Sequence, residues 1–201
     1  MMNRFVNDKR NLTMLMDFYE LTMSNGYFGK GLKDKCVVFD MFYRRNPDEG
    51  GFVIFAGLEQ LVNYIQNLSF DEEDIEYLRS KNMFDEGFLD YLSNFKFSGD
   101  IYAVPEGTIV YPNTPLVTVV APLIDAQLIE TMLLLTINHQ SLIATKANRI
   151  VRAAGDASVM EFGARRAQGS DAAIYGARAC YIGGVGGTAT AISDELFGVP
   201  A

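Results

Sequence analysis

The 201-residue chain is poor in cysteine and has a single histidine, and each scarcity excludes a class of chemistry. Cys36 and Cys180 are too few and too far apart for a disulfide framework or a cysteine-built zinc site. They are read as free thiols, buried or partly so, in a reducing compartment. His139, with no carboxylate close in sequence to orient it, is read as a residue of the scaffold or a support behind a site rather than as a general base. Long apolar runs are missing as well. None reaches the roughly 18 residues that cross a bilayer, and the N-terminal stretch through Met23 lacks the apolar centre of a secretory signal. The reading is a soluble cytoplasmic protein. Basic residues are outnumbered 17 to 25 by acidic ones, leaving a net charge of −8. That balance argues against a nucleic-acid surface, which needs clustered Lys and Arg. The glycine run Gly183-Gly-Val-Gly-Gly187-Thr188 carries no lysine after it, so it is no phosphate-binding P-loop but a place where the backbone turns tightly.

What is present is a globular composition, 49% hydrophobic and 21% charged, long enough to bury a core in one or two domains. The charge is uneven. Residues 141–180 hold Lys146, Arg149, Arg152, Arg165, Arg166 and Arg178 against Asp156, Glu161 and Asp171, so a positive segment lies in an acidic body. Such a segment suits a small polyanion.

Periodicity predicts helices over 13–28, 56–68 and 85–94, and a helix running to about Ser80 behind a capping box, Ser69 to Glu72. It predicts a buried strand from Cys36 to Tyr43 and short strands at 52–55, 100–105, 108–111 and 116–120, with Pro105, Pro112 and Pro115 at strand ends. Asp125 is read as the cap of an apolar helix over 126–136, followed by a second helix over 141–154. Then come a strand from Ala157 to Phe162 and helices over 170–181 and 188–196, with Gly198 as a helix stop. The order implies α/β architecture: a mixed α+β domain at 1–121, then the opening βα units of a parallel domain at 122–201. A closed βα barrel needs about 250 residues, so the chain is expected to be the N-terminal portion of a longer enzyme or a truncated product.

The densest chemistry lies in Glu161-Phe162-Gly-Ala-Arg165-Arg166-Ala-Gln-Gly169-Ser-Asp171. A strand delivers an aromatic face, two guanidinium forks and a glycine turn into one loop, with a helix N-terminus behind it. Phe162 offers stacking, an arginine matches a carboxylate or phosphate, and free helix amides favour an anion. Arg178, on that helix, is either a phosphate contact or a surface charge. Arg44 and Arg45 are weaker candidates for anions.

This segment resembles the corresponding stretch of nicotinate phosphoribosyltransferases. Asp17-Phe-Tyr19-Glu-Leu-Thr-Met23 resembles that family's D-x-Y-x-x-T-M segment, and the segments Phe39 to Arg45, Gly51 to Glu59 and Asn138 to Ala147 also match its pattern. The resemblance covers Asp17 to Ala201. It implies the first units of an incomplete TIM-like, type II phosphoribosyltransferase barrel. It also implies conversion of nicotinate and phosphoribosyl pyrophosphate to nicotinate mononucleotide, coupled to ATP hydrolysis with Mg²⁺ and a transiently phosphorylated histidine. That histidine belongs to a G-T-x-A-H-S motif expected beyond Ala201, so no catalytic residue and no metal ligand is assigned within the chain, and the chain alone is expected to be inactive. The resemblance implies that nicotinate is held by Phe162, Arg165 and Arg166, with Tyr19 reaching the pocket from the partner of a homodimer. It places the glycine run near the ribose phosphate, with Arg178 a possible phosphate contact. Nicotinamide phosphoribosyltransferase, which shares the architecture, and a non-catalytic remnant that binds ligand or dimerises are the alternatives.

Overall fold

The computed structural model describes residues 10–201. In chain order the elements are α1 (Phe18–Gly29), β1 (Cys36–Met41), β2 (Val53–Ile54), α2 (Leu58–Asn67), α3 (Glu72–Ser80), α4 (Glu86–Ser93), β3 (Asp100–Ala103), β4 (Ile109–Val110) and β5 (Val117–Pro122). They are followed by α5 (Leu123–Leu128), α6 (Glu130–Ala154), β6 (Met160–Glu161), α7 (Ser170–Ile182), β7 (Gly187–Thr188) and α8 (Ala191–Phe197). Three strands form an antiparallel sheet in the order β1-β5-β3, β2 and β4 form an antiparallel pair, and β6 and β7 run parallel.

The main core lies among α1 to α5, the β1-β5-β3 sheet and the start of α6, where Leu21, Phe55, Leu61, Phe88, Leu92, Ile124 and Ile137 are buried. α2 shows why such helices form here: Leu61 and Ile65, four positions apart, share one face and sink into this core. A second cluster, Ile54 with the small Ala56, Ala144 and Ala179, joins β2 to α6 and α7. Small side chains let these backbones approach closely. A Cβ on Gly183 would lie 2.4 Å from the Ala144 carbonyl oxygen. Among the described residues β2 pairs only with β4, and amides of β2 and the residues after it are satisfied by α6: Ile54 N–H donates to Thr145 Oγ1 at 2.9 Å and Ala56 N–H to Ser141 Oγ at 3.0 Å. Buried amides need such partners.

Several expectations are corrected. The strand expected through Tyr43 ends at Met41, and it is not buried, because it is a sheet edge with Val38 and Phe39 exposed. The capping box of α3 is Asp71 with Asp74, whose side chains each accept the other's backbone amide, so Ser69 is two residues early. Asp125 caps nothing. It is buried within α5 and accepts from Ser98 N–H and Oγ–H, at 2.9 and 3.0 Å, and from the Tyr91 hydroxyl at 3.3 Å. The two helices read at 126–136 and 141–154 are the short α5 and one continuous 25-residue α6, since Asn138 to Gln140 carry no helix-breaking residue. The helix expected from Thr188 starts at Ala191, because Gly187 and Thr188 are taken up by β7. Among the described residues no helix is long and apolar enough to cross a membrane.

Candidate functional site

β6 leads directly into the loop singled out by sequence. Its parallel partner β7 follows the glycine run, so the two candidate segments are adjacent in space as well as joined through α7. Glu161 binds them together. One carboxylate oxygen accepts the Gly163 amide, and the other accepts the Thr188 hydroxyl at 2.5 Å, while its backbone carbonyl accepts from Ala189 N–H at 2.9 Å. Beyond this anchor the chain makes a 3-10 turn at Ala164–Arg166 and enters α7 through Gly169, whose φ of +107° favours glycine.

The anchored turn leaves Phe162 64% exposed, although it is a large apolar ring. Exposure of a ring on an ordered turn is what a stacking platform requires. Arg166 turns back on the loop, its Nη1 donating to the Phe162 carbonyl oxygen at 3.3 Å. Arg165 is exposed and makes no hydrogen bond or ion pair with any described residue, so its fork remains available to an anion. At the N-terminus of α7, Asp171 is held by Arg10 through a two-pronged contact at 3.1 and 3.2 Å.

The positive balance of residues 141–180 contracts once partners from distant sequence are seen. Lys146 and Arg149 pair with Asp48, at 2.7 and 3.3 Å. Arg152 lies over the Phe52 ring at 5.8 Å. Arg178 is no surface charge: its side chain is 12% exposed and meets Glu106 at 2.6 and 2.9 Å, Glu59 at 2.6 Å and Gln140 at 3.2 Å. A phosphate would have to displace a carboxylate to reach it. The same Glu106 Oε1 also accepts the amides of Gly57 and Leu58 at the start of α2. Burial alone would push the Glu106 carboxyl up, but the Arg178 guanidinium and these amides outweigh it and hold the carboxyl below its ordinary range. Sequence reasoning missed Glu106. Its one available signal is the Pro105-Glu-Gly107 turn, which says nothing of a partner 72 residues away.

Tyr19 lies on α1, 43% exposed, with its hydroxyl donating to Glu130 Oε1 at 2.8 Å. That bond and the surrounding carboxylates raise its phenol above the ordinary value. Glu20, its neighbour, is fully buried, accepts from the Thr131 amide and hydroxyl, and fixes α1 on the first turn of α6. Within the chain the structure brings Tyr19 to Glu130 and makes no ring contact between Tyr19 and Phe162. Phe18 and Met23 on α1, and Leu15 just before it, are also exposed, so apolar surface lies near Tyr19 in the chain. His139 is half-buried on α6, where burial lowers its pKa and favours the neutral ring. Arg44 and Arg45 are exposed and form no ion pair with a described residue. Cys180 is largely buried, and burial with the nearby Glu161 pushes its thiol up to about 11, whereas Cys36 is exposed.

Residues 14–138 match the family model of the nicotinate phosphoribosyltransferase N-terminal domain. The chain is 41% identical over 187 residues to a nicotinate phosphoribosyltransferase of Mycobacterium tuberculosis, covering 93% of this chain and 40% of that protein. It is 42% identical over 190 residues to the Bacillus subtilis nicotinate phosphoribosyltransferase, covering 94% and 39%. It thus spans about 40% of the length of these relatives. The crystal structure of human nicotinic acid phosphoribosyltransferase superposes with a TM-score of 0.87 at 33% identity, over 92% of this chain and 38% of that one. A nicotinate-nucleotide pyrophosphorylase from Pyrococcus furiosus shares the fold, with a TM-score of 0.75 at 23% identity over all of this chain and 42% of that one.

Proposed function

The chain belongs to the nicotinate phosphoribosyltransferase family, and from that premise we propose that its protein joins nicotinate to phosphoribosyl pyrophosphate, releasing pyrophosphate, in NAD biosynthesis. The observation that carries the reading is the turn after β6: an exposed Phe162 ring beside Arg165, which pairs with none of the described residues, on a loop anchored through Glu161. The pyridine ring stacks on Phe162 and its carboxylate pairs with the Arg165 fork. Arg166 stiffens the turn by closing on the Phe162 carbonyl.

The attacking atom is the ring nitrogen, whose lone pair needs no general base, so the residues here serve to align the ring with C1 of the ribose. The neutral amide of nicotinamide gains no charge-assisted pair from Arg165 and is disfavoured. The proposal includes ATP and Mg²⁺ as co-reactants, the first units of a type II barrel built on β6, α7, β7 and α8, and a homodimer in which Tyr19 completes the partner's pocket. The exposed apolar surface near Tyr19 supports the last point. Among the described residues no group of three or more His, Cys, Asp or Glu side chains could hold a metal ion.

The test is a turnover assay on the complete protein with nicotinate or nicotinamide, phosphoribosyl pyrophosphate, ATP and Mg²⁺, with nucleotides separated by chromatography. Formation of nicotinate mononucleotide with preference for nicotinate is expected. Product from nicotinamide alone would overturn the proposal.

A further inference from the structure

We propose that Glu161 and Thr188 form a latch that positions the ring-binding turn, making them positioning residues for nicotinate; the inference rests on the reading of Phe162 and Arg165 given above. The glycine run contributes neither a lysine nor a phosphate-loop pattern, yet its last step delivers Thr188, which is buried to 1% exposure. There the hydroxyl donates to Glu161 Oε2 at 2.5 Å while accepting from Thr190 N–H at 3.0 Å. The other carboxylate oxygen takes the amide of Gly163, the residue that turns the chain immediately after Phe162. One side chain thus fixes the turn from below and the neighbouring strand from the side.

The packing leaves little room for other arrangements. A Cβ on Gly163 would come within 2.9 Å of Glu161 Oε1, and one on Gly187 within 2.5 Å of the Pro200 carbonyl oxygen. Thr188 N–H donates to that same Pro200 oxygen at 2.8 Å, so β7 is held between Glu161 on one side and the segment after Gly198 on the other. Phe162 is 64% exposed, so little packing fixes its ring and its orientation depends largely on the backbone that the latch holds.

Glutamine at 161 is a sharp probe. It has the shape of glutamate but replaces one acceptor oxygen with an NH2 donor, so with its oxygen on the Gly163 amide the Thr188 hydroxyl must turn from donor to acceptor, and the charge-assisted bond is lost. Valine at 188 keeps the shape and removes the hydroxyl, while serine keeps the hydroxyl. In the complete protein, Glu161→Gln and Thr188→Val should each raise the nicotinate KM about tenfold or more, since small misplacements of a binding group are costly. The KM for phosphoribosyl pyrophosphate should stay near that of the parent, and Thr188→Ser should retain the parent nicotinate KM. Phe162→Ala separates the possible failures. A raised nicotinate KM in Phe162→Ala with an unchanged one in Glu161→Gln and Thr188→Val would overturn the latch alone. Unchanged values in all three would overturn the nicotinate reading and the latch with it. Lower thermal stability and kcat with an unchanged nicotinate KM would assign Glu161 and Thr188 to the scaffold and refute their positioning role.

Discussion

Replacing Arg178 with methionine removes the cation that faces Glu106 and Glu59 while keeping most of the apolar stem. The two partners should respond differently. Glu59 is 46% exposed and regains water, so its loss of a partner costs at most about 1 kcal/mol. Glu106 is 19% exposed, and its carboxylate would be left in the interior with only the Gly57 and Leu58 amides. Removing one partner of a buried pair typically costs about 3–5 kcal/mol. For a chain of this size that corresponds to a fall of roughly 6–20 °C in Tm. Adding Glu106→Gln removes the orphaned charge but keeps an acceptor for the amides, so the double variant should be less destabilised than the sum of the singles. The acid dependence has a definite sign. Glu106 titrates in the fold below its ordinary value of 4.5, so its contribution is complete above that value and is lost as pH falls through the lowered one. Urea melts of the four species between pH 3 and 7 measure each effect. A cost below about 1 kcal/mol for Arg178→Met at pH 7, as for an exposed pair, would refute the buried-hub argument.

Thiol titration of the folded chain with a disulfide reagent should modify Cys36 quickly and Cys180 only on unfolding, because burial holds the Cys180 thiol near 11; equal rates would contradict that environment. Gly57→Ala should cost about 1–3 kcal/mol in denaturant melts or prevent folding, since Gly57 has φ +109° and a Cβ there would lie 2.7 Å from the Thr136 carbonyl oxygen. Mixing inactive Tyr19→Ala and Phe162→Ala forms of the complete protein should restore some activity, because one of the two sites in a mixed dimer retains both residues. No recovery after demonstrated subunit exchange would place Tyr19 in its own subunit's site or in the scaffold.

Local signals carried much of this structure. The helix at 86–93 lies within one residue of its expected bounds, between Asp85 and Asn94, and α7 ends one residue beyond expectation. Gly198 closes α8 with φ +67°, as a helix stop should. The failures involve neighbours that local pattern cannot supply. The apolar run of β1 reads as buried, but its place at the sheet edge leaves Val38 and Phe39 exposed. Asp125 has the chemistry of a cap, and only the distant Ser98 and Tyr91 reveal that it is a buried acceptor. The site shows the same division. The ring and two arginines of the loop are visible in order along the sequence. The carboxylates that claim Arg178, and the Thr188 hydroxyl that claims Glu161, come from segments 27 to 119 residues away. Arg178 is thereby drawn into a buried network, while Arg165 pairs with none of the described residues, a distinction that two similar arginines in a sequence do not disclose.

The most direct test of the central claim is the ratio of kcat/KM for nicotinate to that for nicotinamide, measured for the complete protein and its Arg165→Ala form. Loss of the charge-assisted pair should cost roughly 1.5–3 kcal/mol toward nicotinate alone, a fall of about 10- to 150-fold in the ratio. The KM for phosphoribosyl pyrophosphate should stay close to that of the parent. An unchanged ratio would contradict the account and show that Arg165 does not read the ring carboxylate.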